Sequence, residues 1–482
     1  MADRTTPSAS EPDEDGVEGQ SGRLTGIMAA AAVVSAVSGA LYGYDTGIIS
    51  GALLQISEEF KIGSGWEQVI AASILLGAVI GALVCSRLSE RRGRRGTILF
   101  IAVIFAVGAV ACALAPNPWL LSLGRIVLGF AVGGGTQTVP MYVAELAPPA
   151  HRGRLVLTFQ VAIGIGIVLS TIVGATEMVS WRVSIGAAAV PAIVMLVLML
   201  RLPESPRWLV KHEDTDAARD VLKRIRHADD DVEPELESIL DLAREEEEAS
   251  TSGWSGLRKA WVRPALIVGC GVAIFTQLSG IEMIIYYSPT ILTDNGFSTS
   301  AALRVSVGLG VTYLVMMCVG LAIVDRVGRR RLTLTMIPGA ALSLAVLGGL
   351  FVFGADGPST LPFIIACLIV FMFFNAGGLQ LMGWLTGSET YPLAVRAAGT
   401  SFQSATLWST NLLITLTLLT TIETIGVGQT MWMYAAFNVF AFVFVLLRMP
   451  ELTGSSLEQI EGSLRKGNFS PKDFERARAE AA

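Results

Sequence analysis

Two oppositely charged side chains lie inside long apolar runs of the sequence, where charges are rare. Asp45 belongs to the stretch LYGYDTGIISGAL, and Arg125 belongs to LLSLGRIVLGF. A carboxyl that is withdrawn from water next to a guanidinium changes its affinity for a proton whenever the separation of the two groups changes. The pair therefore has the chemistry of a proton carrier. The alternative is a static ion pair that only fixes the packing of two helices.

The sequence carries no motif of an enzyme or of a metal site. The three histidines, His151, His212 and His227, lie between the apolar runs, and neither a phosphate-binding loop nor a nucleophile motif is found. The five cysteines lie in apolar segments, without a CxxC pair and without a histidine at ligand spacing. We therefore expect no enzyme activity, no metal and no cofactor; the coupling ion would be the proton.

The elements that would position the charged pair are transmembrane helices. Hydrophobic residues make up 52% of the 482 residues, charged residues make up 16%, and the mean hydropathy is +0.58. A helix needs about 20 apolar residues to cross a bilayer, and windows of that size recur along the chain. The predicted spans are 25–52, 67–88, 97–115, 119–146, 155–177, 182–202, 264–292, 300–324, 332–354, 361–389, 397–421 and 429–448. We therefore predict an all-α integral membrane protein. Its surroundings are the lipid bilayer, and we expect no nucleic-acid partner.

Counted along these spans, the two charges fall at similar depth. Asp45 lies about seven residues from the outer end of span 1, and Arg125 lies about six residues from the outer start of span 4. At about 1.5 Å per residue both lie roughly 10 Å below the outer surface, so that they can pair.

Glycine and proline mark special positions within the spans. The runs VGGGTQTVP in span 4 and NAGGLQ in span 10 predict bent or broken helices that line a cavity. The pairs Gly77/Gly81 and Gly129/Gly133 have the spacing that lets helices approach closely. We expect this close packing to occur within the first half of the chain, and we expect a monomer.

The distribution of arginine predicts the orientation of the protein. Basic residues follow spans 2, 4, 6, 8, 10 and 12, whereas the loops on the other side carry hardly any. By the positive-inside rule, both termini and every even-numbered exit lie in the cytoplasm. The first 22 residues are acidic and lack the basic start of a secretory signal peptide. We expect a disordered cytoplasmic tail on a multi-pass protein of the inner (plasma) membrane.

The chain repeats itself in its second half. SRLSERRGRR around Gly93 recurs as AIVDRVGRRR around Gly328, and AELAPPAHRGRL with Glu145 recurs as SETYPLAVRAAG with Glu389. Two six-helix halves related by a parallel repeat are an architecture of secondary transporters. The predicted parts are a tail (1–23), a first half (24–202), a linker (203–262), a second half (263–449) and a C-terminal tail (450–482). The linker shows helical spacing of apolar residues and is expected to pack under the bundle, with a disordered linker as the alternative.

An ordered set of motifs resembles the sugar porters of the major facilitator superfamily, from about residue 24 to 462. The motifs are RLSERRGRR, GRIVLGFAVGG, VPMYVAELAPPAHRGRL, PESPRWLV, QLSGIEMIIYYSP, VDRVGRRRL, GSETYPLAVR and PELTGSSLEQIE. The resemblance implies transport of a monosaccharide or polyol by alternating access. In that family, proton symporters carry an acid at the position of Asp45, whereas facilitators typically carry an amide. The resemblance therefore implies import of the sugar together with a proton.

Polar and aromatic side chains near mid-membrane are the candidates for a sugar site. Amides and hydroxyls bind sugar hydroxyls, and aromatic faces bind the C–H surface of the ring. The candidates are Gln160, Thr276, Gln277, Glu282, Trp384, Trp408 and Asn411. Of these, Gln160, Gln277 and Trp384 match positions that bind sugar in the resembling family. The plainer interpretation of each is helix packing or, for a tryptophan, an interface anchor.

Several positions depart from the family pattern. The paired glutamines of span 7 are here Thr276 and Gln277, the Gly-Pro pair before the tryptophan of span 10 is absent from GLQLMGW, and a further glutamine of span 5 is Ile167. Glu282 stands where the family usually has asparagine. A buried acid there could stay neutral and donate to a hydroxyl, or could itself carry a proton. We expect Glu282 to tune the choice of substrate.

Charged residues at the cytoplasmic ends of the spans are arranged alike in both halves. They are Arg87, Glu90, Arg94, Glu145, Arg152, Asp325, Arg326, Arg329, Glu389 and Arg396. In the resembling family such groups form ion pairs that close an inner gate and break when the gate opens. The alternative is that the arginines only orient the spans.

Two other functions compete with proton symport. A passive uniporter would have the same fold. The acid at Asp45 argues against a uniporter, because facilitators of the resembling family typically carry an amide there. A non-transporting sugar sensor usually carries a long cytoplasmic extension, whereas only about 33 residues follow from Pro450 onward.

Overall fold

The computed structural model describes residues 25–148, 151–176, 179–227, 230–248, 253–353, 360–392, 395–455 and 457–481. Within these ranges the ordered elements are helices, and no strand occurs. The predicted N-terminal tail, 1–23, lies outside the described residues. Twelve segments are long and apolar enough to cross a membrane, which confirms the predicted number of spans.

The first half contains spans 1 to 6. Its helices are α1 (Gly26–Phe60), α2 (Ser64–Arg92), α3 (Arg94–Ala113), α4 (Pro118–Leu146), α5 (Arg152–Ala175), α6 (Trp181–Gly186) and α7 (Ala189–Arg201). The short helices α6 and α7 together form span 6. We call the side on which α1 begins and α2, α4 and α7 end the arginine-rich face, and the other side the opposite face.

Four short helices follow at the arginine-rich face: α8 (Pro206–Lys211), α9 (Thr215–Ile225), α10 (Glu233–Glu248) and α11 (Gly253–Gly256). The linker thus contains helices, as predicted, and they pack against the ends of the spans. Nη1 of Arg226, which follows α9, donates to the carbonyl oxygen of Leu146 at the end of α4, at 2.9 Å. Nε1 of Trp208 in α8 donates to the carbonyl oxygen of Glu90 in α2, also at 2.9 Å.

The second half contains spans 7 to 12. Its helices are α12 (Arg263–Leu278), α13 (Ile281–Asp294), α14 (Thr299–Val327), α15 (Arg329–Val352), α16 (Leu361–Ala376), α17 (Leu379–Thr390), α18 (Arg396–Ile425) and α19 (Val427–Arg448). Span 7 consists of α12 and α13, and span 10 consists of α16 and α17. The helices α20 (Leu457–Lys466) and α21 (Pro471–Ala481) follow the last span.

The helix breaks fall in part where glycine predicted them. Span 10 is interrupted at Gly377 and Gly378, as predicted, and span 7 is interrupted at Gly280, whose φ of 95° is a left-handed conformation that suits glycine. Span 4 was predicted to bend or break at VGGGTQTVP; α4 is one uninterrupted helix, so it does not break there. Its glycines serve a different purpose: a Cβ on Gly133 would lie 2.1 Å from the carbonyl oxygen of Ala78 in α2.

The close packing predicted for α2 and α4 is confirmed. A Cβ on Gly77 of α2 would lie 2.0 Å from the carbonyl oxygen of Ile126, and one on Gly129 of α4 would lie 1.9 Å from that of Ile74. The two backbones therefore touch, and both small-residue pairs are used inside the first half. This contact also sets the position of Arg125 on α4.

The first span is longer than its hydropathy predicted. Helix α1 continues eight residues past position 52, through Gln55, Glu58 and Glu59, to Phe60. Asp45 thus lies seven residues before position 52 and 15 residues before the end of α1. The polar residues of the last two turns lowered the hydropathy of a segment that stays helical.

The repeat is visible at two equivalent turns on the arginine-rich face. Gly93 joins α2 to α3 with a φ of 87°, and Gly328 joins α14 to α15 with a φ of 95°. At the first turn, Glu204 accepts the backbone N–H of Arg94 at 2.8 Å. At the second, Glu451 accepts the backbone N–H of Arg329 at 2.9 Å. Each carboxylate thereby caps the helix that follows the glycine.

Candidate functional site

The charged pair predicted from the sequence lies in the interior of the first half. Asp45 of α1 and Arg125 of α4 are buried, and Nη2 of the guanidinium lies 3.7 Å from Oδ2 of the carboxylate. Nε of Arg125 donates to the carbonyl oxygen of Ile70 in α2 at 2.8 Å, so a third helix holds the guanidinium. Charge-assisted hydrogen bonds are about 2.7–2.9 Å long. The ion pair is therefore close but not hydrogen-bonded, and a small movement of α1 would strengthen or break it.

Glu282 is a second buried carboxyl, and it belongs to the second half. It lies in the first turn of α13, just after the break at Gly280, and is 3% exposed. Within the described part of the chain, its Oε2 has no hydrogen-bond partner and no cation neighbours the carboxyl. Tyr42, Tyr286 and Tyr313 are near enough to interact with it electrostatically. Tyrosine side chains from α1, α13 and α14 thus lie near this acid.

Three aromatic rings from both halves meet, and one of them, Tyr42, interacts with Glu282. Tyr42 of α1 contacts Trp408 of α18 edge to face, with ring centroids 5.4 Å apart. Trp408 contacts Trp384 of α17 in the same manner at 6.2 Å. Nε1 of Trp408 has no acceptor among the described residues. Two of the predicted substrate residues, Trp384 and Trp408, are therefore brought together.

Several amides in the interior have a polar atom without a hydrogen-bond partner in the described ranges. These atoms include Oε1 of Gln160 in α5, Oε1 of Gln277 at the end of α12, Oε1 of Gln380 in α17, both polar atoms of Asn375 in α16, and Nδ2 of Asn411 in α18. Since buried polar groups in proteins are nearly always paired, such atoms mark places where a ligand or water completes the bonding. Gln160, Gln277 and Asn411 are predicted substrate residues.

Thr276 is placed differently from the other candidates. Its Oγ1 donates to the carbonyl oxygen of Val272 at 2.7 Å and lies 3.4 Å from that of Leu379. The hydroxyl proton is therefore used within α12, and the hydroxyl lies close to the start of α17.

The sequence analysis missed two polar residues that flank the break in span 10. Asn375 precedes the break and Gln380 follows it, and both are nearly fully buried. Gln380 lies beside Tyr313 of α14. The motif NAGGLQ contains both residues, and a polar pair on either side of a predicted break could have identified them.

The two halves touch on the opposite face. Oγ of Ser64 in α2 donates to Oε1 of Glu423 in α18 at 2.5 Å. One turn further along α2, Nε2 of Gln68 donates to Oγ1 of Thr420 at 2.9 Å. These contacts close the space between α2 and α18 on this side.

The same helix α18 also meets the first half toward the arginine-rich face. The hydroxyls of Ser401 and of Ser86 in α2 are hydrogen-bonded at 2.7 Å, and both residues are buried. The side chain of Gln137 in α4 donates to the hydroxyl of Ser404. The interior between the halves is thus bounded by contacts on both sides.

Five of the predicted gate residues form ion pairs, and each pair lies within one half. The guanidinium of Arg94 binds both carboxylate oxygens of Glu145, with a closest N···O distance of 2.9 Å. Arg329 binds Glu389 at 2.8 Å and Asp325 at 2.6 Å. These pairs fasten neighbouring spans of one half to each other and do not bridge the two halves.

The other predicted gate residues make different contacts. The guanidinium of Arg87 lies 5.0 Å above the ring of Trp254 in α11, and Nε of Arg396 donates to the carbonyl oxygen of Tyr391 at 3.2 Å. Glu90 and Arg326 are exposed, and the side chain of Arg152 lies outside the described part.

Two small cavities lie apart from the predicted substrate residues. One is in the first half, where Leu41, Thr136 and Phe159 contribute to its lining, and the other is in the second half, where Ile284, Leu347 and Phe351 contribute. Neither is lined by a predicted substrate residue. The described ranges contain no group of three or more His, Cys, Asp or Glu that could hold a metal ion.

Comparison with known proteins agrees with the motifs. The model of the family described as "Sugar (and other) transporter" matches residues 31–464. The chain is 37% identical over 435 residues to the D-xylose transporter of Levilactobacillus brevis, which covers 89% of this chain and 94% of that protein. It is 35% identical over 449 residues to the major myo-inositol transporter IolT of Bacillus subtilis (strain 168), which covers 91% of this chain and 94% of that protein.

The fold is similar to that of the xylose transporter XylE from E. coli. Its partially occluded inward open conformation matches with a TM-score of 0.76 and 25% identity, over 90% of this chain and 100% of that chain. XylE bound to 6-bromo-6-deoxy-D-glucose, described as a proton:xylose symporter, matches with a TM-score of 0.75 and 25% identity, over 90% of this chain and 98% of that chain. The similarity thus includes both six-span halves. These relatives are transporters and not enzymes.

Proposed function

This chain belongs to the sugar (and other) transporter family, and we propose that it imports a monosaccharide or polyol together with a proton by alternating access. The family match makes it a multi-pass membrane protein and a sugar transporter of the major facilitator superfamily. The proposal adds the coupling to a proton and the direction of transport. It also assigns the site residues and the orientation of the termini in the cytoplasm.

The observation that carries the proposal is the pair of Asp45 and Arg125. An uncompensated charge at membrane depth costs at least about 2.5–3.5 kcal/mol, so that such residues are rare and commonly functional. The 3.7 Å separation leaves the carboxyl near its cation without fixing it by a hydrogen bond. Movement of α1 during alternating access would change the separation, and with it the affinity of Asp45 for a proton. Proton binding and helix movement would then be linked.

The proposed substrate site lies between the halves and includes Gln160, Gln277, Glu282, Trp384, Trp408 and Asn411. Unpaired amide atoms would bind sugar hydroxyls, and the rings of Trp384 and Trp408 would cover the C–H surface. Contacts between α2 and α18 at Gln68 and at Ser86 bound this site on both sides. Opening either contact would expose the site to one side of the membrane.

The names of two relatives support the proposal. The Levilactobacillus brevis protein is a D-xylose transporter, and XylE is described as a proton:xylose symporter. The myo-inositol transporter extends the range to a polyol. A monosaccharide or polyol is therefore the substrate class to test first.

The proposal is tested with purified protein in liposomes under weak buffering, with a pH indicator outside the liposomes. D-xylose, D-glucose, D-galactose and myo-inositol are added in turn, and valinomycin with potassium removes the membrane potential. A symporter takes up protons with the sugar, so the external medium becomes alkaline, and a protonophore abolishes the signal. Sugar uptake without alkalinisation would identify a uniporter, and sugar binding without uptake would identify a sensor.

A further inference from the structure

The second half carries a buried acid that the proposed proton coupling does not use. Glu282 is 3% exposed, and no cation among the described residues neighbours it. Asp45 in the first half has Arg125 at 3.7 Å. A buried carboxylate is stable only when a cation or several hydrogen bonds compensate it. Arg125 supplies that compensation for Asp45, whereas no described residue forms an ion pair with Glu282.

The unpaired polar atoms of the interior include several acceptors, and one of them belongs to the carboxyl of Glu282. Unpaired oxygens belong to Gln277, Gln380 and Glu282, and unpaired nitrogens belong to Trp408 and Asn411. An amide can offer either of its polar atoms by turning over, but an ionised carboxylate can only accept. A ligand group with several donors and no acceptor would therefore suit this end of the site. A primary ammonium has three donors and a positive charge.

The aromatic neighbours of Glu282 favour the same ligand group. Tyr42 and Tyr313 interact with the carboxyl electrostatically, and Tyr42 packs edge to face against Trp408. Aromatic faces attract cations, most strongly where water is excluded. A carboxylate near tyrosine rings, one of which packs against a tryptophan, is thus an arrangement that stabilises an ammonium group from two directions.

We propose that the transported sugar or polyol bears a protonated primary amine, and that Glu282 is its ion-pair partner. The ring of the substrate lies against Trp384 and Trp408, and its ammonium group points toward the first turn of α13. This inference rests on the proposed function, because it specifies the substrate class of the same site. The competing role of Glu282 is that of a neutral acid that donates to a hydroxyl, in which case an amine gives no advantage.

The test measures binding to the full-length protein by titration calorimetry at neutral pH. The ligands are D-glucose and D-galactose, their 2-amino and 6-amino derivatives, and the N-acetylated forms of those amines. At least one amino sugar is expected to bind about tenfold or more tightly than its parent sugar, since an ion pair replaces a neutral contact. N-acetylation removes the charge and is expected to abolish the advantage.

Two variants assign the effect to one carboxyl. Glu282→Gln is expected to lower the ratio of amino-sugar to parent affinity to about one. Glu67→Gln removes another partly buried carboxyl, which accepts a hydrogen bond from Ser57 near the opposite face, and is expected to keep the wild-type ratio. If Glu282→Gln does not fold, the comparison of amine and N-acetyl forms on the wild-type protein still shows whether the charge of the amine strengthens binding.

The outcomes separate this inference from the proposed function. The inference is overturned if neutral sugars bind and no amino sugar binds more tightly than its parent, or if the advantage survives in Glu282→Gln. If neither neutral nor amino sugars bind or are transported, the proposed function itself fails.

Discussion

The two halves of the bundle are alike at the arginine-rich face and unlike inside the membrane. At that face, Arg94 with Glu145 and Arg329 with Glu389 form the same pair at the same place in each half. Inside, the first half contains a carboxylate with a cation, and the second contains Glu282, which forms no ion pair within the described ranges. The repeated motifs thus form the same turns and ion pairs in both halves, which we call the common frame. The interior residues do not repeat, and the two halves differ there in charge.

The helices of the two halves differ in continuity as well as in charge. Spans 1 and 4, which carry the charged pair, are single helices, whereas spans 7 and 10 are each interrupted by glycine. Interrupted helices place polar side chains, here Gln277 and Gln380, beside backbone that has left the helix. The comparison suggests a division of tasks in the proposed mechanism, with the proton bound by the first half and most sugar contacts made by the second.

The strongest test of this division is Asp45→Asn, which removes the proton carrier and keeps its size. Proton-driven accumulation of sugar in liposomes is expected to fall to the equilibrium level, while exchange of sugar across the membrane continues. The exposed Glu58→Gln on the same helix is the control and is expected to accumulate sugar like the wild type. Proton-driven accumulation by the Asp45 variant would show that another group, such as Glu282, carries the proton.

Hydropathy predicted the twelve spans because burial in lipid constrains composition directly. It failed at the end of α1, where Glu58 and Glu59 continue a helix beyond the apolar run. It also failed to separate two uses of glycine. In span 10 glycine interrupts the helix, whereas Gly133 in α4 lets a backbone approach closely. The distinction depends on the neighbouring helix, which no local pattern contains.

The candidate site could be predicted from the sequence where the depth of two residues in the membrane is sufficient to show that they can meet. Asp45 and Arg125 were expected to pair, and they do, although the distance from Asp45 to its helix end was underestimated. Asn375, Gln380 and Tyr42 were missed because their importance depends on the face that each helix presents to the centre. That rotation is set by packing between spans that are distant in the sequence.

A second test compares the stability of the two buried acids. Arg125→Met leaves Asp45 buried without a cation and is expected to destabilise the protein by about 3–5 kcal/mol. Glu282→Gln breaks no ion pair within the described ranges, and its effect is expected to be smaller. Thermal unfolding in detergent, followed by fluorescence, measures both. Equal losses would mean that Glu282 has a partner in the protein, and the contrast between the halves would disappear. Adding Asp45→Asn to Arg125→Met should recover most of the loss.

A third test examines the common frame. Gly93→Ala and Gly328→Ala each place a side chain at positive φ, in a region that is almost restricted to glycine, at a cost of about 1–3 kcal/mol. The added Cβ would also lie 2.1 Å from Glu204 in the first half and 2.5 Å from Glu451 in the second. Similar drops in melting temperature are expected in both variants. Gly96→Ala, inside α3 with open space around its Cβ, is the control and should not destabilise. A large difference between the first two variants would show that the turns are not equivalent.

The smallest expected effect concerns an ion pair at the arginine-rich face that the two halves do not share. Arg329 also binds Asp325 at 2.6 Å, whereas the equivalent Glu90, 235 residues earlier, forms no such pair in the described structure. The carboxylate of Asp325 is 76% exposed, and exposed ion pairs contribute about 0.2–1 kcal/mol. Asp325→Asn is therefore expected to lower stability by less than about 1 kcal/mol, and Glu90→Gln by nothing measurable. The loss of stability in Asp325→Asn should shrink further in high salt, because screening weakens exposed pairs most. A loss of several kcal/mol in Asp325→Asn that persists in high salt would mean that this pair is an essential part of the second half, and that the two faces are less alike than their sequences.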